Sequence, residues 1–355
     1  MRLDKNHTRW FGANGMAALG VFAALIAHPV RAESSSPPRV DYEFTGQIDL
    51  GAPTFNDYLT FDSDSRRLYV SHVDRVTVVD VAKRVVIGSV APLKDSHGIA
   101  IVSKLSKGYA DSGDDGIVKV FSLTDFHVIK QIKVSPDADG MLYDERTDSV
   151  LVVAGDSKNL TVINPTDDTV TRTVALPGKP EFMAIDEAGN VYVNIADTAT
   201  LAKVNIASGK VEANWPLENC KAPHGLAYDP PSNRLFSGCA NSRLVVVDAS
   251  NGRNLANLAI GSFSDGVAID SRRRLVFTSN GPGTLTAISI GPDDHFSVAR
   301  TLPTFFGGRN MALDPATGAL YVAHGHMKIL TSMKDPLNLR FGWDGIDVAT
   351  FEPRP

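Results

Sequence analysis

The sequence predicts an all-β fold, a propeller of seven blades that are each a four-stranded antiparallel sheet. The first observation is a recurring segment in which a polar residue leads into a short apolar strand. This segment occurs seven times, at spacings of 40, 42, 42, 43, 41 and 44 residues. The second observation is that the strands are short and rich in β-branched residues, without the apolar period of about 3.6 that marks helices. A near-constant period of this length, built from strands, indicates a propeller rather than a helical solenoid.

Blade five shows the repeating unit most clearly. Pro223–Asp229 is a polar turn that runs into an apolar strand, Pro230–Asn233 turns the chain, and Arg234–Ser237 runs back. Arg243–Asp248 and Asn254–Ile260 supply the third and fourth strands. Four short antiparallel strands in about 40 residues is the size of one propeller blade.

The first 32 residues are predicted to be a secretory signal peptide. A basic start precedes the apolar run Met16–Ala27, and Val30-Arg31-Ala32 fits the small-x-small cleavage rule. The alternative is an uncleaved membrane anchor, but the apolar run is too short to span a bilayer as a helix. Residues 33–40 are expected to be a flexible spacer, and residues 41–355 the propeller domain.

This N-terminus predicts an exported protein with no transmembrane segment after cleavage. The full chain carries a net charge of -5. Because the signal contains four basic residues and one acidic residue, the mature charge is -8. A chain with this charge is a poor candidate for nonspecific nucleic-acid binding, which needs a concentrated basic surface.

Blades one to six follow the repeat, with one weak member. Blade one supplies Asp57–Asp62, Leu68–His72, Val76–Asp80 and Val85–Val90. Apolar and polar residues alternate along these strands, and many of the residues are β-branched. Both features are typical of sheets that are stacked and buried. In blade two the second strand, near Gly108–Ala110, is weak.

Blade seven departs from the repeat. Ala319–His324 is its second strand, and its third strand is either Lys328–Ser332 or, after an insertion, Gly345–Phe351. Neither choice leaves a good fourth strand at the C-terminus. Asp41–Leu50 precedes blade one without a partner of its own. We expect it to pair with blade seven and close the ring, which removes an open sheet edge.

Several strand pairs resemble the YVTN repeat of bacterial β-propeller proteins. The resemblance is carried by Leu68–His72 with Val76–Asp80, by Val191–Asn194 and by Leu320–His324, although no blade has the literal Tyr-Val-Thr-Asn. It covers essentially all of residues 40–350 and is strongest for the exported YncE-like branch. The resemblance implies a secreted or periplasmic seven-bladed propeller, often with no known activity, and for some members it implies binding of partners, including single-stranded DNA. Propellers also host lactonases and lyases, so the fold alone does not choose a function.

Seven ionisable residues occupy equivalent positions at the head of each innermost strand. These ring residues are Asp57, His97, Asp139, Glu181, His224, Asp265 and Arg309. Because the innermost strands converge on the central channel, the ring is predicted to bind a small polar ligand or a protein partner at one mouth. Carboxylates so close together repel one another, which raises some of their pKa values unless cations offset the repulsion. The alternative is that these polar side chains only satisfy turn backbone around a wet channel.

Three consecutive ring residues, Glu181, His224 and Asp265, are the candidate metal ligands. An imidazole between two carboxylates suits a divalent cation or proton transfer. This arrangement supports a second function, a lactonase- or lyase-like enzyme acting on a small polar substrate. The sequence contains no serine-hydrolase, Walker, dinucleotide or closed metal motif. Catalytic residues are therefore not assigned, and a divalent metal ion is the only cofactor suggested.

Two observations distinguish these functions. A bound divalent ion would favour the enzyme, and a large apolar patch on the ring face would favour a protein partner. Three further histidines, His72, His324 and His326, are expected near the same mouth, as surface residues in turns. The protein is expected to be a monomer.

The two cysteines, Cys220 and Cys239, are predicted to form a disulfide. If Asp229 faces Arg234, antiparallel pairing puts His224 opposite Cys239, and the loop that carries Cys220 can fold back over the strand end. An exported protein meets an oxidising compartment. The alternative is a pair of reduced, separately buried cysteines.

Overall fold

The structure is a computed structural model that describes residues 40–51, 55–332 and 335–354. This part of the chain belongs to one compact unit and forms 28 β-strands and two single-turn 3-10 helices. None of the helices there reaches the length and hydrophobicity that a membrane span requires. The predicted signal peptide, residues 1–32, and all but the last residue of the predicted spacer lie outside the described residues.

The first 17 strands are the N-terminal strand β1 and the strands of blades one to four, which follow one another along the chain. They are β1 (Tyr42–Asp49), β2 (Asn56–Asp62), β3 (Arg67–His72), β4 (Arg75–Asp80), β5 (Val85–Val90), β6 (Ile99–Val102), β7 (Lys107–Ser112), β8 (Ile117–Ser122), β9 (Val128–Lys133), β10 (Ala138–Asp144), β11 (Ser149–Ala154), β12 (Asn159–Asn164), β13 (Thr169–Ala175), β14 (Pro180–Ile185), β15 (Asn190–Ile195), β16 (Thr200–Asn205) and β17 (Lys210–Pro216). The two 3-10 turns, Ser103–Leu105 and Gly113–Asp115, lie in blade two.

The remaining strands complete blades five to seven. They are β18 (Pro223–Asp229), β19 (Arg234–Cys239), β20 (Arg243–Asp248), β21 (Asn254–Ala259), β22 (Ser264–Asp270), β23 (Leu275–Asn280), β24 (Thr284–Ile290), β25 (Phe296–Pro303), β26 (Asn310–Leu313), β27 (Leu320–Ser332) and β28 (Asp335–Pro353). Each of the first six blades uses four consecutive strands, β2 to β5 for blade one and so on to β22 to β25 for blade six. The first strands of all seven blades contact one another in a closed cycle around the channel. The predicted seven-bladed propeller is thus confirmed.

The N-terminal strand closes the ring. In blade seven the strand order is β1, β28, β27, β26, and β1 pairs with β28 from Tyr42 opposite Pro353 to Asp49 opposite Asp347. Tyr42 and Ile48 are buried, so β1 also contributes to the core. The predicted role of Asp41–Leu50 as the fourth strand of blade seven is confirmed.

The insertion in blade seven is a long hairpin. The third strand is β28, which contains Gly345–Phe351, so that alternative for the third strand is confirmed. The alternative Lys328–Ser332 is wrong because those residues continue the second strand, β27. Pairing of β27 with β28 runs on from Met327 opposite Trp343 to Ser332 opposite Asp335. The hairpin leaves the blade on the ring face, because second strands run toward that face.

The core consists of seven apolar clusters, one at each interface between neighbouring blades. Middle strands are covered on both faces and are therefore buried along most of their length, as stacked sheets require. In blade three every residue of β11 is buried, whereas in the outer strand β13 only Val174 is buried. The closed cycle of interfaces explains how a chain this long stays one unit, since each added blade adds its own core.

A disulfide joins Cys220 to Cys239, with their Cα atoms 5.5 Å apart. The predicted bridge is confirmed, but the expected register was wrong by one residue. Pro223, and not His224, lies opposite Cys239. The cause is a β-bulge between Pro223 and Leu226, which adds one residue to the inner strand relative to its partner.

Candidate functional site

A β-bulge at the head of the innermost strand positions most of the ring residues. The register shifts between Asn56 and Leu59 in blade one, and at the equivalent place in blades three to six. His97 and Arg309 instead lie in the turns just before β6 and β26. A bulge re-aims one side chain without disturbing the alternation of the following strand. The polar residue can therefore turn toward the channel while the apolar residues after it stay in the core.

His224 is held between two carboxylates from the neighbouring blades. Its Nδ1 atom lies 3.2 Å from Oε2 of Glu181 and 3.1 Å from Oδ1 of Asp265. Burial lowers the pKa of the imidazole, but hydrogen bonds to Asp265 and Glu181 outweigh burial and raise the pKa to about 10. The three consecutive ring residues therefore converge as an ion-paired bridge.

This bridge bears on the predicted metal site. A protonated Nδ1 of His224 that donates to both carboxylates is not available to a cation. Within residues 40–51, 55–332 and 335–354, no group of three or more His, Cys, Asp or Glu side chains is arranged to hold a metal ion. The divalent ion at Glu181, His224 and Asp265 stays a prediction.

Arg309 and Asn310 join blade seven to blades six and one. Nε of Arg309 lies 3.2 Å from Oδ2 of Asp265, and its Nη2 lies 3.7 Å from Oδ1 of Asp57. The buried Asn310 donates from Nδ2 to Asp57 (2.8 Å) and to Asp265 (3.1 Å). Burial raises the pKa of Asp265, but the hydrogen bond from His224 and the charge of Arg309 hold that pKa below its usual value. Asp265 is therefore ionised at neutral pH.

Two other ring carboxyls are less well compensated. Burial, followed by repulsion from Asp265, raises the pKa of Asp57 to about 7, although Arg309 and His97 act in the opposite direction. Burial and the charges of Asp57 and Glu181 raise the pKa of Asp139 well above its usual value. Repulsion between ring carboxylates thus has the predicted effect, and a partly protonated Asp57 lies beside an ionised Asp265.

His97 forms a separate pair in blade two. The fully buried Asp111 accepts hydrogen bonds from the backbone N–H groups of His97 and Gly98, each at 2.8 Å, and its Oδ2 lies 3.4 Å from Nδ1 of His97. Burial lowers the pKa of His97, but the hydrogen bond with Asp111 outweighs burial and raises the pKa to about 10. The cationic His97 therefore rests on a buried carboxylate from its own blade.

Several supporting residues were missed in the sequence. Nδ2 of Asn194 donates to the backbone oxygens of His224 (2.8 Å) and Gly225 (3.1 Å), and its Oδ1 accepts from Ser237 at 2.9 Å. The signal for such residues is a polar side chain in a buried second strand, 13 or 14 residues after the ring position. The residues at this repeat position are Ser71, Asp111, Asn194, Ser237 and Ser279.

Two aromatic side chains meet across the channel beneath the ring. Tyr58 of blade one and Phe182 of blade four, each the residue after a ring residue, meet with ring centroids 5.0 Å apart. Phe182 also forms part of a separate cavity of about 550 Å³ that is lined by the far halves of the inner strands. The ring therefore lies next to an aromatic pair contributed by two opposite blades.

An apolar cavity of about 330 Å³ lies beside the ring. It is lined mainly by Phe55, Phe263, Pro282 and Phe306, with Arg309 of the ring at its edge. The guanidinium carbon of Arg309 lies 4.7 Å from the ring centroid of Phe55. The phenylalanines are 52%, 67% and 59% exposed in chain order, so the ring face carries an exposed apolar patch.

The expected surface histidines are not at the surface. His72 and His324 are buried, and burial lowers the pKa of His72 to about 4. His324 stacks on Phe305 with ring centroids 4.2 Å apart. The expectation was wrong because the second strand continues to these positions, which places them inside the blade. The side chain of His326 lies outside the described residues.

Comparison with known proteins supports the fold. No model of a known protein family matches the chain, and no curated protein matches it. Among chains of known structure, 1737 match, so the fold is widespread and cannot choose a function. One is hydrazine synthase from Kuenenia stuttgartiensis, with a TM-score of 0.67 and 16% sequence identity over 78% of this chain and 94% of that chain. That likeness shows the propeller fold alone, and membership of the YVTN-repeat family stays a prediction.

Proposed function

We propose that the protein is an exported, YVTN/YncE-like β-propeller that binds a ligand or a macromolecular partner at the ring face. A propeller fold supports a binding or scaffold role. The observation that carries the proposal is convergence, because ring residues from blades four to seven and blade one form one continuous set of ion pairs. Strongly shifted pKa values in such a cluster are typical of functional sites.

The ring presents hydrogen-bond donors to solvent. The side chains of Arg309, His224 and His97 are 32%, 28% and 20% exposed. Those of Glu181 and Asp265 are only 11% and 8% exposed. The buried carboxylates form ion pairs with the cationic groups, and the cationic groups are the ones exposed to a ligand. This arrangement, with cations outside and carboxylates inside, favours a small polar ligand that carries acceptor oxygens.

The basic run Arg272–Arg274 offers little to a nucleic acid. Arg273 pairs with Asp270 at 2.6 Å, and Arg274 pairs with Asp229 at 2.7 Å. These pairs commit the run to contacts at the face opposite the ring. Together with the mature charge of -8, they argue against nucleic acid as the partner.

A thermal-shift comparison tests the binding proposal. Citrate and inorganic phosphate are expected to raise the melting temperature of the mature protein, and putrescine is not, because bound ligands stabilise the native state by mass action. His224→Gln keeps a neutral donor but lacks the charge, so the anion shifts should shrink. Equal shifts in the wild type and the variant, or a shift with putrescine alone, would contradict the proposal.

A second candidate function is the lactonase- or lyase-like enzyme. The observation that favours it is the separation of two pKa values, with Asp57 raised to about 7 and Asp265 lowered. Neighbouring carboxyls with separated pKa values suit a general acid and a general base. Hydrolysis of γ-butyrolactone is then expected to change near pH 7 in the wild type and to be lost in Asp57→Asn. A rate equal to that of buffer would exclude this substrate class.

Export is the remaining part of the proposal. The Cys220–Cys239 disulfide supports it, because such bridges persist in oxidising compartments. Expression of the full chain in a bacterium should give a periplasmic or secreted product that begins at Glu33. Edman sequencing of that product is the measurement, and an uncleaved chain in the cytosol would contradict export.

A further inference from the structure

We propose that the apolar cavity beside the ring binds a small apolar carboxylic acid. Its carboxylate would lie at Asn56 and Arg309, and its apolar body between Phe55, Phe263 and Phe306. The cavity volume of about 330 Å³ is in the range of small-molecule sites, which are mostly apolar with a few convergent polar groups.

The phenylalanines supply the apolar wall. Phe55 precedes β2, Phe263 lies in the turn before β22, and Phe306 lies in the turn before β26, so three blades contribute. More than half of the surface of each of these residues is exposed. Exposed aromatic residues gathered around one concave surface mark a binding site.

Asn56 supplies an unused donor. It lines the cavity, is 6% exposed, and its Nδ2 atom has no hydrogen-bond partner among the described residues. A buried donor without a partner is unfavourable, and native proteins seldom keep one without a use. A ligand oxygen in the cavity would satisfy it.

Arg309 supplies the charge. Its Nε and Nη2 atoms are directed to Asp265 and Asp57, at 3.2 Å and 3.7 Å. A guanidinium group has five N–H donors, so donors remain for a further acceptor. Contact with Phe55 holds the group at the edge of the cavity. A carboxylate is an acceptor that guanidinium groups bind strongly, often through two parallel hydrogen bonds.

The residues that line the cavity disfavour a positively charged ligand. Among the described residues, the cavity is lined by Phe55, Asn56, Phe263, Gly281, Pro282, Phe306, Gly307, Arg309 and Gly325, and none of these is acidic. An apolar amine would find no carboxylate there, whereas an apolar carboxylate finds one cation and one amide donor.

This inference rests on the proposed function, because Arg309 belongs to both the ring and the cavity. The two can still fail separately. His224→Gln changes the ring and leaves every lining residue of the cavity in place. Binding in the cavity is therefore expected to survive that variant, whereas the citrate and phosphate shifts are not.

The experiment uses three fluorinated probes of nearly equal shape and ¹⁹F NMR titration of the mature protein at pH 8. The probes are para-fluorobenzoate, para-fluoroacetophenone and para-fluorocumene, which carry a carboxylate, a neutral carbonyl and no oxygen. The expected order of affinity is benzoate, then ketone, then hydrocarbon. Tightest binding by the hydrocarbon or the ketone, or no binding by any probe, would overturn the proposal.

Two variants and a control locate the contacts. Asn56→Ala should reduce benzoate affinity about tenfold, as expected for loss of a hydrogen bond to a charged group, without lowering the melting temperature. Phe263→Ala should weaken all three probes by about fivefold, because each loses apolar contact. Ile129→Ala removes an exposed apolar residue from an outer strand and should change nothing. Unchanged benzoate affinity in both cavity variants would overturn the assignment.

Discussion

Asp57→Asn is expected to stabilise the protein at pH 8. In the folded state the pKa of Asp57 is raised from 3.8 to about 7, chiefly by burial and by repulsion from Asp265. The native state therefore holds a proton more tightly than the unfolded chain, and stability falls as pH rises from 3.8 to 7. At about 1.4 kcal/mol per pKa unit, the ionised carboxylate costs the fold at most about 4 kcal/mol above pH 7.

The substitution also removes favourable contacts. Asn310 loses a charged acceptor at 2.8 Å, and Arg309 loses a partner at 3.7 Å. A hydrogen bond to a charged group contributes about 1.5 to 3 kcal/mol, which offsets about half of the gain. The expected net stabilisation is about 2 kcal/mol at pH 8. It should be close to zero at pH 5, where most of the wild-type Asp57 carboxyl is already protonated.

Urea unfolding at pH 5 and pH 8 measures this effect. The wild type, Asp57→Asn and the control Asp64→Asn are compared, and the control replaces an exposed aspartate on the opposite face. The free energy of unfolding of the control should follow the wild type at both pH values. If Asp57→Asn destabilises the protein equally at pH 5 and pH 8, Asp57 is a structural carboxylate and the electrostatic reasoning is wrong.

The remaining predictions concern closure, the disulfide and metal. A chain that begins at Gly51 lacks β1, so the outer edge of β28 is exposed, and this chain should be less stable and should aggregate. A melting temperature equal to that of the mature protein would refute this prediction. Unfolded, unreduced protein should show no free thiols, and two free thiols per chain would refute the bridge. Replacing Cys220 and Cys239 by Ser should lower the free energy of unfolding by about 3 kcal/mol, because the bridge spans a separation of 19 residues. If the ring holds a divalent ion, elemental analysis of protein purified without chelator should find one ion per chain that is lost in His224→Gln.

Repetition made much of the fold predictable. Because seven segments share one spacing, the strand order and the ring positions could be aligned without knowing any contact. Closure was predictable by elimination, since Asp41–Leu50 had strand character but no partner of its own. The disulfide followed from the same register, because Cys220 and Cys239 flank one hairpin.

The rest depends on local backbone geometry. A bulge is one extra residue, and Gly225, a residue type that often accompanies bulges, does not by itself fix where the register shifts, so the pairing of His224 was wrong. The carboxamides of Asn194 and Asn310 matter through hydrogen bonds to backbone and carboxylate oxygens from neighbouring blades. The repeat position of Asn194 is visible in the sequence, but the atoms that it and Asn310 contact in neighbouring blades are not. The apolar cavity likewise depends on turns from three blades that are far apart in sequence.

Closure by β1 also sets the order in which the protein can be completed during synthesis. Tyr42 is among the first residues of the domain to be made, and its partner Pro353 is among the last. Blades one to six each use consecutive strands and can form as they emerge from the ribosome. Strand β1, in contrast, stays unpaired until β28 has been synthesised. The contact that completes the ring spans almost the whole domain, and contacts of this kind form slowly. A prematurely terminated chain keeps β1 and the edge of its last blade unpaired, so incomplete products differ from finished ones by exposed strand edges that chaperones and proteases can recognise.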